Sequence, residues 1–423
     1  MRIAFVTFGC RLNRAESLDL ESVLSASGHE IIHLHARSDP TSQASDPICR
    51  PDLIVVRGCS VTAKAQRDCE KAIEHLRHRF PCAHIAITGC LPDAKPLPPQ
   101  ILKGSDHAIP WGQTNIPTST SRAYLKVQDG CNGKCSFCIV PHFRGPPVSI
   151  PLADVIARAK AFISAGYHEI VMTGCNLSLY KSDENDLPKL LDALASLFPQ
   201  GSDPTSISKY RVRLGSLEPG MLSPQILDIL EKHQNICRFL HLSIQSGSDR
   251  ILSAMNRPYH IGTVADFVRS VHERFDSRIM VGADIITGFP GETEEDFNAT
   301  RDFLADNNFT HVHAFPFSER PGTPAATMAR SVPIDIRRER ARIIIKDAAL
   351  RRYRFAESFI GQEVEVCVEN GCDHGWTDEY LQVKLSSHRP RRTLVRATIV
   401  AAKDDILLEM PEGAIPRVAQ KAE

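Results

Sequence analysis

The sequence predicts an α/β chain in three parts: an N-terminal doubly wound parallel sheet, a central partial (β/α)6 barrel and a small C-terminal antiparallel β-barrel. Three observations predict it. Short apolar runs alternate with helical patterns from Ile3 to Gly89, a longer β/α repetition runs from Ala123 to Phe315, and Ile360 to about Leu408 alternates apolar and polar residues. Alternating β and α elements give parallel sheets covered by helices, whereas period-two alternation gives half-buried strands. The corresponding segments are 1–115, 120–355 and 358–423, as expected for a chain of 423 residues, too long for one typical core.

In the first part the strands are Ile3–Phe8, Leu53–Val56 and His84–Thr88, with helices around Ala15–Ser27 and Thr62–Phe80. The strands end in Gly9-Cys10, Gly58-Cys59 and Gly89-Cys90. Ligands of an open parallel sheet bind beyond the carboxyl ends of its strands. Three cysteines far apart in sequence are therefore expected at one edge, and a glycine before each permits a tight turn and close approach. Ala36–Arg50, which holds Cys49, reads as an exposed loop and Pro92–Arg122 as a linker.

The second part offers strands at Ala123–Val127, Glu169–Met172, Tyr210–Leu214, Phe239–Ile244, Met280–Ile286 and His311–Phe315. Helical patterns separate them at Leu152–Ala165, Leu187–Leu197, Pro224–Lys232, Ile261–Arg274 and Glu294–Asn307. Such a barrel carries its active site at the C-terminal strand ends. Polar motifs follow those ends at Thr173-Gly174, Ser216-Leu217-Glu218-Pro219, Gln245-Ser246-Gly247-Ser248-Asp249 and Thr287-Gly288-Phe289-Pro290-Gly291-Glu292. A basic helix, Arg337–Arg354, precedes the alternating tail.

Lys+Arg and Asp+Glu balance at 50 each, so any nucleic-acid contact must come from local patches. No apolar run approaches the roughly 20 residues that span a bilayer, and the N-terminus has no cleavable signal layout. Thirteen cysteines, an odd number in a long chain, favour a reducing cytoplasm and metal-binding or catalytic thiols over a disulfide framework.

Three of them form C-x3-C-x2-C in Asp129-Gly130-Cys131-Asn132-Gly133-Lys134-Cys135-Ser136-Phe137-Cys138. Structural zinc takes four closed ligands, and a cubane 4Fe–4S cluster usually takes four cysteines. Three leave one iron of a cubane open to a group that is not protein. A zinc knuckle or an unliganded thiol cluster is the alternative. With an aromatic before its last cysteine, the motif resembles that of the radical S-adenosylmethionine superfamily. There the open iron chelates S-adenosylmethionine, and electron transfer into the sulfonium yields a 5′-deoxyadenosyl radical.

Nearly the whole chain further resembles the methylthiotransferases of that superfamily. The likeness rests on Phe8-Gly9-Cys10-Arg11-Leu12-Asn13 with Glu16-Ser17, Gly58-Cys59-Ser60-Val61-Thr62 and Thr88-Gly89-Cys90. It rests also on His241–Asp249, Asp284–Glu292 and Phe317-Ser318-Glu319-Arg320-Pro321-Gly322-Thr323-Pro324. The resemblance implies two 4Fe–4S clusters, one on Cys131, Cys135 and Cys138 and an auxiliary one on Cys10, Cys59 and Cys90 that presents the sulfur to be transferred. It implies S-adenosylmethionine as methyl donor and radical source, a reducing electron donor, a sulfur source, and a C-terminal TRAM domain that binds RNA. The opening motif and Arg320-Pro321-Gly322-Thr323-Pro324 look most like the branch acting on N6-threonylcarbamoyladenosine at position 37 of tRNA. The isopentenyladenosine branch and the branch that modifies a ribosomal-protein aspartate are its siblings. A non-catalytic iron–sulfur carrier or RNA-binding module is the reading from another class.

Gly174, Glu218, Gln245 and Asp284, at barrel strand ends, are the candidates for S-adenosylmethionine; turn bonds are the alternative for Gln245 and Asp284. Arg144 suits a carboxylate or phosphate, although the chain after Gly145 departs from the family's basic continuation with Pro146-Pro147-Val148-Ser149. Arg351 and Arg352 are candidates for RNA phosphate, and Trp376 and Tyr380 for stacking on unpaired bases. A solvated helix face and a core anchor are the alternatives. Cys175 is expected in the pocket wall, and Cys69, Cys82, Cys237, Cys367 and Cys372 are expected to be structural. No catalytic residue is assigned.

Overall fold

The computed structural model describes residues 1–34, 50–91, 116, 119–197, 210–276 and 278–411. The loop expected over Ala36–Arg50, with Cys49 and except for Arg50, and most of the linker expected over Pro92–Arg122 lie outside these residues.

The N-terminal sheet is parallel, in the order Glu30–His33, Arg2–Thr7, Leu53–Gly58, His84–Gly89. Alternate residues of its strands serve opposite faces. Ile3 and Phe5 pack with Leu20 and Leu24 of the helix Arg11–Ala26, while Ala4 and Val6 share a second core with Ile73 and Leu76 of the helix Ala63–Arg79. The Thr62 hydroxyl caps the latter helix by accepting from the Ala65 N–H.

The central strands form a parallel partial barrel. Ala123–Lys126, Glu169–Thr173 and Arg211–Arg213 make one sheet; Ser216–Leu217, Phe239–Gln245, Met280–Thr287 and His311–Pro316 make the next. Gly215 separates the short runs Arg211–Arg213 and Ser216–Leu217, which join the two sheets. Leu240, Leu242 and Ile244 pack outward with Val264, Val268 and Val271 of the helix Ile261–Arg274. Their strand neighbours Phe239, His241, Ser243 and Gln245 therefore face the lumen.

The helix Ile334–Glu357 leads to a closed barrel of Glu363–Val368, His374–Trp376, Gln382–Lys384, Ile406–Glu409 and Leu394–Lys403. Its core continues into the floor of the central barrel, where Phe239 and Met280 pack with Phe359, Val364 and Leu381. No helix among the described residues is long and apolar enough to cross a membrane.

This docking changes several expectations. Arg352, expected at phosphate, is buried: it pairs with Asp405 at 2.6 Å and donates to the Tyr380 carbonyl at 2.9 Å. Arg337 and Arg340 also turn inward, onto the Phe317 carbonyl and the Glu292 carboxylate. Tyr380 stacks on Trp376 at 4.6 Å and on Phe239 at 5.0 Å, so the aromatic pair, half-buried, takes part in the joint between the barrels. Arg351 donates to the Phe309 carbonyl at 2.8 Å and stays half-buried beside an open groove of about 1000 Å³.

Candidate active site

The cysteine-bearing strand ends of the N-terminal sheet converge. Gly58 and Gly89 are register partners, and the Asn13 amide donates to the carbonyls of Phe8 and Gly58 at 2.8 and 2.9 Å, tying two ends together. Gly9 has φ +93°, and a Cβ there would stand 2.7 Å from the Cys59 Cβ. Gly9→Ala is expected to cost about 1–3 kcal/mol through backbone strain and to displace Cys59. An unchanged melting temperature with full iron loading would contradict that packing. Cys10 is exposed, and Cys59 and Cys90 are buried. Burial, aided by neighbouring Cys10 and Cys90, pushes the Cys59 thiol up to about 11.

The second constellation lies at the mouth of the central barrel. Gly130 is in the left-handed region (φ +69°), and a side chain there would run into the Pro146 carbonyl. The Gly133 N–H donates to Cys131 Sγ at 3.3 Å. Ser136 fixes the loop to the barrel by donating to the Ala254 carbonyl through its hydroxyl and to the Met255 carbonyl through its N–H. Burial, then the charges of Cys135 and Cys131, push the Cys138 thiol up to about 11, against the pull of Arg257. Arg257 reaches Cys135 Sγ at 3.1 Å, Glu218 at 2.6 Å and the Ser243 carbonyl at 2.7 Å. One guanidinium thus joins the cysteine loop to two strand ends.

Between the constellations lies a buried charge network. Glu16 meets Arg57 at 2.8 Å, Lys126 at 2.5 Å and Arg144 at 3.0 Å. Arg144 also reaches Asp129 at 3.0 Å, the Asn13 amide oxygen at 2.7 Å and Cys90 Sγ at 3.1 Å. Burial alone would raise the Glu16 pKa, but the charges of Lys126, Arg144 and Arg57 hold it well below the carboxylate range. Arg144, expected at a substrate carboxylate or phosphate, finds its carboxylates in the protein. Its position clamps Cys90 to the base of the three-cysteine loop. Cys175 lies in the same region; burial raises its thiol, opposed by Arg144 and reinforced by Asp129, Cys131 and Cys138.

The other expected site residues divide by height in the lumen. A Cβ on Gly174 would come within 3.0 Å of Gln128 Oε1, so this glycine lets the strand end close on Gln128, whose amide donates to the Gly130 carbonyl. Burial raises the Glu218 carboxyl despite Arg257 beside it. Gln245 ends its strand with φ 72°, a strained conformation of a kind concentrated at functional sites. Asp284 sits 3.1 Å from His241 Nε2 and 3.4 Å from His313 Nδ1. Burial opposes its ionisation, and the two imidazoles overcome burial and hold it below the carboxylate range. Sequence reasoning gave no role to Arg257, Asp129, His241 or His313. Arg257 carried no sequence signal of its own; His241 opened the run His241–Asp249 without a role, and His313 was signalled only by its place in a strand of the barrel.

The donor sets fit cubane clusters better than single ions. A tetrahedral zinc with Zn–S near about 2.3 Å draws its sulfurs to within about 4 Å of one another. Among the described residues, His241, Asp284 and His313 alone form a trio whose ligand atoms all lie within 4.8 Å. Both cysteine trios are therefore more open than a zinc site, as a cluster of several irons requires. The raised thiols also call for a strongly cationic group before they become thiolates.

A three-cysteine loop at the mouth of a partial parallel barrel defines a radical S-adenosylmethionine protein. A family model described as Radical SAM superfamily matches residues 125–304, and one described as Uncharacterized protein family UPF0004 matches residues 2–108. The chain is 30% identical to "Threonylcarbamoyladenosine tRNA methylthiotransferase MtaB" of Thermotoga maritima, across 97% of this chain and 98% of that protein. It is also 30% identical to the "tRNA-2-methylthio-N(6)-dimethylallyladenosine synthase" of Mycobacterium bovis, across 86% and 76%. The fold resembles that of the radical S-adenosylmethionine methyltransferase TsrM from Kitasatospora setae, with TM-score 0.55, 15% identity, and 77% and 75% of the chains covered. The chain belongs to the radical S-adenosylmethionine methylthiotransferases, enzymes whose cofactors are 4Fe–4S clusters and S-adenosylmethionine.

Proposed function

We propose that the enzyme converts N6-threonylcarbamoyladenosine at position 37 of tRNA to its 2-methylthio derivative in the cytoplasm. The observation that carries the reading is the pair of three-thiol constellations held together through Arg144, in a chain that matches threonylcarbamoyladenosine enzymes over almost its full length. Cys131, Cys135 and Cys138 would hold one cluster, and Cys10, Cys59 and Cys90 the other. Bound there, the clusters and S-adenosylmethionine supply electron transfer, the radical, the sulfur and the methyl group, drawing on a reducing electron donor and a sulfur source.

The chain's own residues supply position. Arg257 holds Cys135 and orients Glu218 at the cofactor end of the lumen, with Gly174 letting its strand end close on Gln128. Gln245 and Asp284 line the same lumen below the loop. The C-terminal barrel and the outer side of the helix Ile334–Glu357, with exposed Arg342, Lys346 and Arg354, carry the RNA contact.

Two measurements test this. Anaerobically reconstituted enzyme should release 5′-deoxyadenosine on reduction with S-adenosylmethionine, and Cys131→Ala should release none; equal release from both refutes the radical assignment. Nucleosides of tRNA from a deletion strain should lose the methylthio group from threonylcarbamoyladenosine alone. Loss from isopentenyladenosine instead would move the enzyme to the sibling branch.

A further inference from the structure

A threonylcarbamoyl substituent carries a carboxylate, and a site for it needs a cation not already paired within the protein. Around the two constellations most cations are paired. Arg144 and Lys126 hold Glu16 and Asp129, Arg257 holds Glu218, Arg122 holds Glu369, and Arg352 holds Asp405. Arg11, Arg14 and Arg320 differ: among the described residues no ion pair joins any of them to a carboxylate, and of the three it is Arg11 that stands over an aromatic ring.

Its guanidinium stands 5.3 Å from the centroid of the Tyr380 ring. Tyr380 is itself fixed by its stacks on Trp376 and Phe239. Arg11 follows Cys10 directly and lines with it a cavity of about 350 Å³ that also takes in Arg14 and Tyr124. A planar guanidinium seated on a fixed ring is already oriented for two-point binding of a carboxylate.

We propose that Arg11 receives the carboxylate of the N6 substituent and so selects threonylcarbamoyladenosine over adenosines with uncharged substituents. The proposal rests on the function proposed above. C2 and N6 share one edge of adenine. A base presenting C2 to the sulfur-bearing site at Cys10, Cys59 and Cys90 therefore lays its N6 substituent alongside that site, within the neighbourhood of the residue after Cys10.

The test uses reconstituted holoenzyme and anticodon stem-loop RNAs that carry threonylcarbamoyladenosine, its neutral carboxamide or isopentenyladenosine at position 37. Dissociation constants are read by fluorescence anisotropy at one salt concentration, and products by nucleoside mass spectrometry. Wild type should bind the acid about 10- to 100-fold more tightly than the amide, the range of a charge-assisted pair. Arg11→Gln should weaken binding of the acid by that factor, leave the amide unmoved and so erase the preference. Arg11→Lys should keep part of it, since lysine retains the charge without the fork. Equal wild-type affinity for acid and amide overturns the proposal with no variant needed. So does a preference that survives in Arg11→Gln, or an equal loss for both RNAs. The proposed function has its own readout, the wild-type product: a methylthio group on isopentenyladenosine alone removes both readings. Threonylcarbamoyl product without an acid–amide preference removes only the role of Arg11.

Discussion

Cys59→Ala is expected to make no methylthiolated nucleoside, to carry about half the iron of the wild type, and still to release 5′-deoxyadenosine. Cys59 is buried between Cys10 and Cys90, so removing it leaves two thiols where a cubane with one open iron needs three. The radical loop stands on other supports: Ser136 on the Ala254 carbonyl, Cys135 on Arg257, and Gly130 beneath the Pro146 carbonyl. None of these contacts includes Cys59. Cys69→Ala is the matched control. Its sulfur lies 3.4 Å from the Cys59 N–H, yet the residue packs in the core with Ile73 and Leu76, so both clusters should survive its loss. Iron per chain unchanged in Cys59→Ala would refute the ligand assignment. Loss of reductive cleavage in the same variant would mean that the two constellations are not separable.

Periodicity made the framework legible. Pro224–Lys232 and Ile261–Arg274 form with the bounds the pattern suggests, because their apolar residues fall on one helical face. The strand Glu30–His33 was not visible, since two isoleucines between polar residues are too short a signal. The cysteines were legible because glycine-cysteine recurs at successive strand ends. Arg144 was legible as a carboxylate partner, but its carboxylates, Glu16 and Asp129, come from separate elements that only tertiary folding brings together. The packing of Trp376 and Tyr380 against Phe239 was not legible for a related reason: docking of one barrel on another leaves no local period.

That docking depends on one buried carboxylate, and Glu169→Leu is expected to destabilise the protein by about 3–5 kcal/mol. Glu169 is fully buried and receives Arg211 at 2.7 Å and Arg213 at 2.8 Å. Both guanidiniums are themselves buried and donate onward to backbone carbonyls of the C-terminal segment. Arg211 reaches Glu365 and Trp376, and Arg213 reaches Thr377 and Asp378. Leucine would leave buried Arg213 without a counter-ion and Arg211 with only Glu365 at 3.8 Å, and would free the forks that hold the C-terminal barrel to the floor. Chemical denaturation and proteolysis between Glu357 and Glu363 should both report the loosened joint, and RNA affinity should fall although Glu169 faces no solvent. Burial by itself would raise the Glu169 pKa, but Arg213, Arg211 and Arg122 overcome it and hold the group well below its ordinary value of 4.5. The stabilisation is therefore fully present above that value and is lost as the pH falls through the lower folded one. The gap between wild type and Glu169→Leu should hold near neutral pH and narrow only in strong acid. A difference under about 1 kcal/mol, the usual worth of an exposed pair, would show that the two barrels are held by their shared apolar core and not by this carboxylate.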